Sequence, residues 1–123
     1  MNNISKPTLV IGASLKTKRY SNVAMKRLIQ NDHPVKAIGL REGTVKGVEI
    51  MTGKPALEHI HTITLYINSK RQPEYYDYLI SLKPKRVIFN PGTENPEFYS
   101  KLEENDIAVK VACTLVLLST ENY

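Results

Sequence analysis

The sequence predicts an α/β fold of three layers, doubly wound, with a mostly parallel sheet of five to six strands between helices. Three observations predict it. Short apolar runs recur along the chain and alternate with segments whose apolar residues fall at helical spacing. The first of these runs, Leu9-Val10-Ile11, is apolar at every position, the pattern of a strand buried on both faces of a parallel sheet. Each run also stops at small or polar residues, where a chain leaves a sheet edge for a helix. At 123 residues, 41% hydrophobic and 24% charged, the chain is expected to form one domain, 1–123, around a single core.

The elements follow in order. Leu9-Val10-Ile11 lies between Pro7 and Gly12 and reads as the central strand. Gly12, Ala13 and Ser14 follow, then a basic loop holding Lys16, Lys18, Arg19 and Tyr20. Ser21 reads as the N-cap of an amphipathic helix carrying Val23, Ala24, Leu28 and Ile29. Turn chemistry at 31–34, with Pro34, ends that helix before a second short strand at Val35, Ala37 and Ile38. Gly39, Leu40, Arg41, Glu42 and Gly43 follow it. Residues 43–53 read as a turn, a short strand around Val48 to Met51, and another turn. Residues 62–67 alternate polar and apolar and are rich in β-branched side chains, which predicts a strand ending at Asn68. Pro73 opens a helix with Tyr76, Leu79 and Ile80 on one side, and Pro84 ends it. Arg86-Val87-Ile88-Phe89 is the next strand, stopping at the turn Asn90, Pro91, Gly92. Asn95 caps and Pro96 opens a helix burying Phe98 and Leu102. Residues 107–111 form a last strand, followed by Ala112-Cys113-Thr114 and the apolar run Leu115 to Leu118.

The chemistry is concentrated after the first strand. A strand that turns through small residues into a helix start leaves backbone N–H groups free at the positive end of the helix dipole, where an anion can approach. With Lys16, Lys18 and Arg19 beside it, the segment reads as a phosphate cradle. The same geometry also serves a ligand-free connection, so the turn alone does not decide. Neither the Gly-x-Gly-x-x-Gly dinucleotide pattern nor the Gly-Lys-Ser/Thr ending of a triphosphate loop is present. In a sheet of this kind ligands bind beyond the carboxyl ends of the strands, so Gly12-Ala13-Ser14, Asn68 and Asn90-Pro91-Gly92 are expected to gather around one crevice. Arg41, at the end of the second strand, suits a phosphorylated ribose such as NADP and coenzyme A carry, although it also reads as a solvated loop residue.

Other classes are disfavoured. The net charge of +5 is spread among acidic neighbours, without an arginine-rich helix or aromatic RNA-binding signature, so nucleic acid is not the expected partner. His59 and His61 lack companions for a metal set and read as surface residues. No apolar run approaches the roughly 18 residues of a membrane span, and there is no signal peptide, so a cytoplasmic protein is expected. One cysteine, Cys113, excludes an internal disulfide and fits a reducing compartment.

With these residues in view the chain resembles the small stand-alone coenzyme A-binding domain proteins, a Rossmann-like family related in fold to the nucleotide-binding domain of succinyl-CoA synthetase. The matching pieces are Val10-Ile11-Gly12-Ala13-Ser14 with Arg19-Tyr20-Ser21, the turn at Gly47, the strand ending at Asn68, Asn90-Pro91-Gly92, and Ala112-Cys113-Thr114. Their order covers almost the whole chain. The resemblance implies a coenzyme A pyrophosphate over Gly12, Ala13 and Ser14 with Arg19 and Ser21 beside it. It also implies an adenosine end at Gly39, Leu40 and Arg41, and a pantetheine arm passing Asn68 and Asn90, Pro91, Gly92. Many members have Asn-Pro after the second strand, where this chain has Gly39-Leu40-Arg41. The expected function is therefore binding of coenzyme A or an acyl-CoA without catalysis, since no nucleophile, base and orienter set is evident. The alternatives are an NADP-linked or acyl-CoA-handling enzyme, and an interaction module that has lost its nucleotide. Cys113 reads as a small core residue; near the crevice it could form a mixed disulfide with the coenzyme thiol.

Overall fold

The computed structural model describes residues 4–123. The sheet has seven strands: β1 (Thr8–Ala13), β2 (Val35–Gly39), β3 (Gly43–Val45), β4 (Val48–Met51), β5 (Thr62–Leu65), β6 (Arg86–Phe89) and β7 (Ala108–Val111). Their spatial order is β3-β4-β2-β1-β5-β6-β7. All neighbours are parallel except β3, which pairs antiparallel with β4. One strand more is present than the five to six expected. The addition is β3, whose three residues Gly43-Thr44-Val45 are too short to show a period and form a hairpin through Gly47, at φ +84°.

Four helices cover the sheet: α1 (Tyr20–Gln30), α2 (Tyr76–Ser81) entered through a 3₁₀ turn at Pro73–Tyr75, α3 (Pro96–Glu104) and α4 (Thr114–Ser119). In β1 alternate residues serve opposite layers. Leu9 and Ile11 join Ile63, Leu65, Leu79, Phe89, Phe98 and Leu102 in the core under α2 and α3. Val10 and Ala13 join Met25, Leu28, Ala37, Ile50 and Leu118 under α1 and α4. The three-layer doubly wound architecture expected from the sequence is the one observed.

Three local features go beyond the sequence reading or differ from it. The polar members of the 62–67 alternation are not turned to water, because Thr62 and Thr64 are as buried as Ile63 and Leu65. The apolar run after Cys113 is a helix, α4. Ser21 is not an N-cap, since α1 starts at Tyr20 with Arg19 in the cap position and Ser21 lies inside the first turn, 3% exposed. Asn95, by contrast, caps α3 as expected, its Oδ1 accepting from the Phe98 N–H at 3.2 Å with Pro96 behind it.

The amino edge of the sheet is closed by a polar cluster around Tyr123. The Tyr123 and Thr8 hydroxyls share a 2.5 Å hydrogen bond, and the Arg86 guanidinium lies 4.5 Å from the Tyr123 ring centre. The His33 ring packs at 4.8 Å with its Nδ1 accepting from the Lys6 N–H, and His61 Nδ1 shares a 2.7 Å bond with the Thr62 hydroxyl. Burial holds both histidines below their usual 6.5, helped by Lys6 and Arg86 at His33 and by Arg86, Lys6 and Lys85 at His61, against Asp32 at His33. The unfolded chain therefore takes up these protons first as pH falls. Their neutral-state contribution is complete above pH 6.5 and is lost as pH drops below it toward the folded values. Thermal midpoints measured from about pH 8 to pH 5 should decline through this window, and His33→Asn with His61→Asn should flatten the decline. An equal decline in the double variant would assign it to other groups.

Candidate functional site

Because six strands are parallel, their carboxyl ends open on one edge. The chain winds outward from β1 through β2 to β4, then returns to β5 on the other side of β1, so the winding reverses between β1 and β5. A crevice at such a reversal is where doubly wound sheets hold ligands.

The exit of β1 is shaped from both flanks. Gly12, at φ +91°, has no room for a side chain: a Cβ there would lie 2.8 Å from the Tyr66 carbonyl oxygen. The neighbouring strand exit by itself requires a glycine at this position. Ala13 is paired with Gly39, whose own Cβ would run into the Ala13 carbonyl oxygen. Ser14 Oγ accepts from the Lys16 N–H at 3.0 Å, closing the first turn of the loop, and Asn22 Nδ2 donates to the Ser14 carbonyl at 2.9 Å. Asn22 is 1% exposed, so this bond ties the loop to α1 from inside. Sequence reasoning missed Asn22; its one signal is a polar residue on the apolar side of an amphipathic helix.

Helix α1 begins in the crevice without help. No side chain caps it and no acidic residue stands in its first turn, while Lys16, Lys18, Arg19 and Tyr20 are all exposed around it. The N–H groups of a helix's first turn have no partner within the helix. An uncapped start flanked by cations is an electrostatic receptor for an anion.

At the exit of β2, Gly39 leads into an exposed arch of Leu40, Arg41 and Glu42 that returns to Gly43. Both feet of the arch are held by the β1 exit. Gly39 sits under Ala13, and the Leu15 side chain lies on Gly43, its Cδ atoms 2.6 Å from where a Cβ would be. Beside the arch a shallow recess of about 480 Å³ is lined by Glu42, Gly43, Thr44, Met51, Thr52 and Pro55 among others.

The other two exits are self-contained. Asn68 is exposed and its Oδ1 accepts from the N–H groups of Lys70 and Arg71 at 3.1 and 3.2 Å, folding the loop back on itself. Asn90 is 2% exposed. Its Nδ2 donates to the Thr64 hydroxyl at 2.7 Å and the Leu65 carbonyl at 2.8 Å, and its Oδ1 accepts from the Thr114 N–H at 2.8 Å. The Asn90 side chain thus joins β6, β5 and the start of α4. Pro91 and Gly92 are exposed, and the Gly92 N–H donates to the Glu94 carboxylate at 2.9 Å. Behind this turn buried Gln72 donates to the Ile67 and Thr93 carbonyls and accepts from Asn95 Nδ2, which also reaches the Tyr76 hydroxyl. The Thr64 and Thr114 hydroxyls share a 2.8 Å bond. The Tyr66 hydroxyl is buried beside Thr64 and Thr114, and burial, only partly offset by those hydroxyls, pushes it up to about 12, so it stays protonated.

The expected residues therefore reach one edge in different states. Ala13, Ser21 and Asn90 are buried, Gly12, Ser14 and Gly39 are half-buried, and Lys18, Arg19, Tyr20, Leu40, Arg41, Asn68, Pro91 and Gly92 are open to solvent. Cys113 is half-buried at the exit of β7 in the cap position of α4. Among the described residues no helix is long and apolar enough to cross a membrane.

A doubly wound parallel sheet with a donor-rich helix start at its reversal point defines the class, a Rossmann-like α/β domain. The chain belongs to the CoA binding domain family, whose model matches residues 6–119. A crystal structure of an uncharacterized protein is 45% identical with a TM-score of 0.95, covering 98% of this chain and 99% of that one. A hypothetical protein from Pyrococcus horikoshii OT3 is 25% identical with a TM-score of 0.84, over 94% of this chain and 83% of that one. A Thermus thermophilus protein shares the fold at 19% identity and a TM-score of 0.85, with both chains covered in full. No curated protein matches the chain.

Proposed function

We propose that this protein binds coenzyme A or an acyl-CoA, and that it acts through binding rather than turnover. The observation that carries this reading is the uncapped start of α1 among Lys16, Lys18 and Arg19 at the reversal point, in a chain of the CoA binding domain family. The pyrophosphate would rest on Ser14 and on the backbone N–H groups of Tyr20 and Ser21, with Lys18 and Arg19 as counter-charges. Phosphates held there direct one arm of the ligand over β2, toward Gly39, Leu40 and Arg41, where Arg41 would meet a ribose phosphate. The other arm would cross Asn68, Pro91 and Gly92. There the Gly92 N–H is already engaged by the Glu94 carboxylate, and Pro91 and Gly92 are exposed. Asn90 would shape this turn from beneath without touching the ligand. We place the protein in the cytoplasm, a reducing compartment with which its single cysteine is compatible.

Thermal unfolding with coenzyme A, acetyl-CoA, NADP, NAD and AMP at matched concentrations tests the reading. A ligand at about 100 times its dissociation constant adds about 2.7 kcal/mol, which moves the midpoint of a domain this size by on the order of 10 °C. The expected result is that shift with coenzyme A or acetyl-CoA and little with NAD or AMP. A larger shift with NADP would favour the reductase alternative, and no shift with any of them would remove the nucleotide reading.

A further inference from the structure

The sheet ends in two unequal edges. One is β3, three residues closed into a hairpin, with the Leu15 side chain set against Gly43. The other is β7, which pairs with β6 alone. Ala108, Lys110 and Val111 of β7 are exposed, Val111 to 56%, and Val109 is half-buried. Two bonds fix the direction of its backbone. The Ala108 N–H donates to the Lys85 carbonyl at 3.1 Å, and the Ala112 N–H donates to the Phe89 carbonyl at 3.2 Å. Backbone direction alternates along a strand, so Ala108, Lys110 and Ala112 turn their N–H and C=O groups to β6, while Val109 and Val111 turn theirs outward. Among the described residues nothing pairs with those outward groups.

An open row of this kind is a template for another strand, and a lysine on it ordinarily discourages pairing. The setting of Lys110 reverses that role. The segment entering β7 carries Glu103, Glu104 and Asp106, all exposed, and Lys110 is the one charge within β7. An acidic start and a basic end make the strand complementary to a reversed copy of itself. We propose that two copies of this chain pair through antiparallel β7 strands, about a two-fold axis at Val109. In that register each Val109 exchanges both outward bonds with the Val109 of the second copy, and Val111 donates to the second copy's Ile107 carbonyl. Lys110 then lies opposite Ala108 and diagonal to Asp106 of the second copy at about 7–8 Å, within reach of a long side chain. An axis at Lys110 would set the two lysines directly opposite each other, which is destabilising. A parallel pairing would place acid beside acid. The contact is narrow, so the dimer is a weak one, with a dissociation constant of roughly 10–300 µM. The crevice at the β1–β5 reversal is separated from this edge by β6, so pairing leaves it open and the proposal stands independently of the coenzyme A reading.

Sedimentation velocity from about 5 µM to about 1 mM protein tests the pairing. The wild type is expected to pass from monomer to dimer over this range, with the Val109 and Val111 amides exchanging hydrogen more slowly as concentration rises. Lys110→Glu, a change of surface charge, should weaken association roughly tenfold without lowering the thermal midpoint. Asp106→Lys should do the same, and the backbone accepts it, since Lys83 holds φ +51° where Asp106 holds +61°. Both substitutions together should recover most of the wild-type association, because the exchanged charges meet again across the axis. Val109→Pro removes an outward N–H and leaves the bonds to β6 in place, so it should abolish the dimer in a folded monomer. A wild type that stays monomeric at about 1 mM overturns the proposal. A dimer that survives Lys110→Glu and Val109→Pro unchanged also overturns it, because such a dimer uses another surface. A double variant that associates no better than the single ones overturns the pairing of Lys110 with Asp106, and with it the register.

Discussion

Replacing Gly12 with alanine is expected to lower stability by about 4 kcal/mol and the thermal midpoint by roughly 15 °C. Two costs add. An L-residue at φ +91° is strained by about 1–3 kcal/mol. The new Cβ would also lie 2.8 Å from the Tyr66 carbonyl oxygen, 2.9 Å from its carbon and 3.0 Å from Ile67 Cγ2. Two of these atoms are backbone, and that backbone is held on both sides. The Tyr66 N–H donates to the Ile11 carbonyl at 2.8 Å, and buried Gln72 Nε2 holds the Ile67 carbonyl at 3.0 Å. Relief requires the exits of β1 and β5 to part, which widens the crevice as well as destabilising the sheet. Gly47→Ala is the control, because its φ of +84° is similar but its Cβ would meet nothing within 4 Å. It should cost only the backbone share. Urea unfolding of the two variants separates the contributions, and equal losses would mean that the β1–β5 contact relaxes freely.

The same comparison explains what the sequence could reveal. A buried parallel strand announces itself, because Leu9-Val10-Ile11 and Val87-Ile88-Phe89 have no polar residue to hide, and Asn95-Pro96 is a helix start by local chemistry alone. The winding followed from alternation, and with it the gathering of strand exits at one edge. Local chemistry failed where a distant partner decided the conformation. Ser21 is a good cap in isolation, yet α1 is fixed instead by Asn22 reaching back to Ser14. Residues 43–45 become a strand only because Glu49 and Ile50 are there to pair with Thr44 and Gly43. Thr64, Gln72, Thr93 and Thr114 look like ordinary surface residues, and their burial depends on partners 21 to 50 positions away. Glycine was read correctly as a marker and incompletely as to reason. The positive φ of Gly12 and the tight seat of Gly39 answer to neighbouring strands, so a small residue at a strand exit reports close packing before it reports a ligand.

Asn90 carries this distinction to an experiment. It stands at a strand exit in a turn expected to line the crevice, yet it is 2% exposed and both sides of its amide are engaged within the protein. Asn90→Ala removes three hydrogen bonds at once. The Thr114 N–H loses its acceptor at the start of α4 and the Leu65 carbonyl loses a donor, both in the interior. The Thr64 hydroxyl keeps a partner in Thr114. With each stranded buried group costing about 1–3 kcal/mol, the loss is expected at about 3 kcal/mol, or roughly 12 °C in the midpoint. If the side chain is a staple, the variant measured well below its midpoint should bind coenzyme A within about threefold of the wild type, while α4 exchanges its amide hydrogens faster. If it touches the ligand, affinity should fall with stability. Asn90→Asp sharpens the test, because a carboxylate still accepts from the Thr114 N–H and from the Thr64 hydroxyl but faces the Leu65 carbonyl without a proton to donate. As a staple it should recover part of the lost stability at neutral pH and recover more as the pH is lowered and the acid regains a donor. That acid-side recovery runs opposite to the decline expected from His33 and His61, so the difference between Asn90→Asp and Asn90→Ala across pH isolates it.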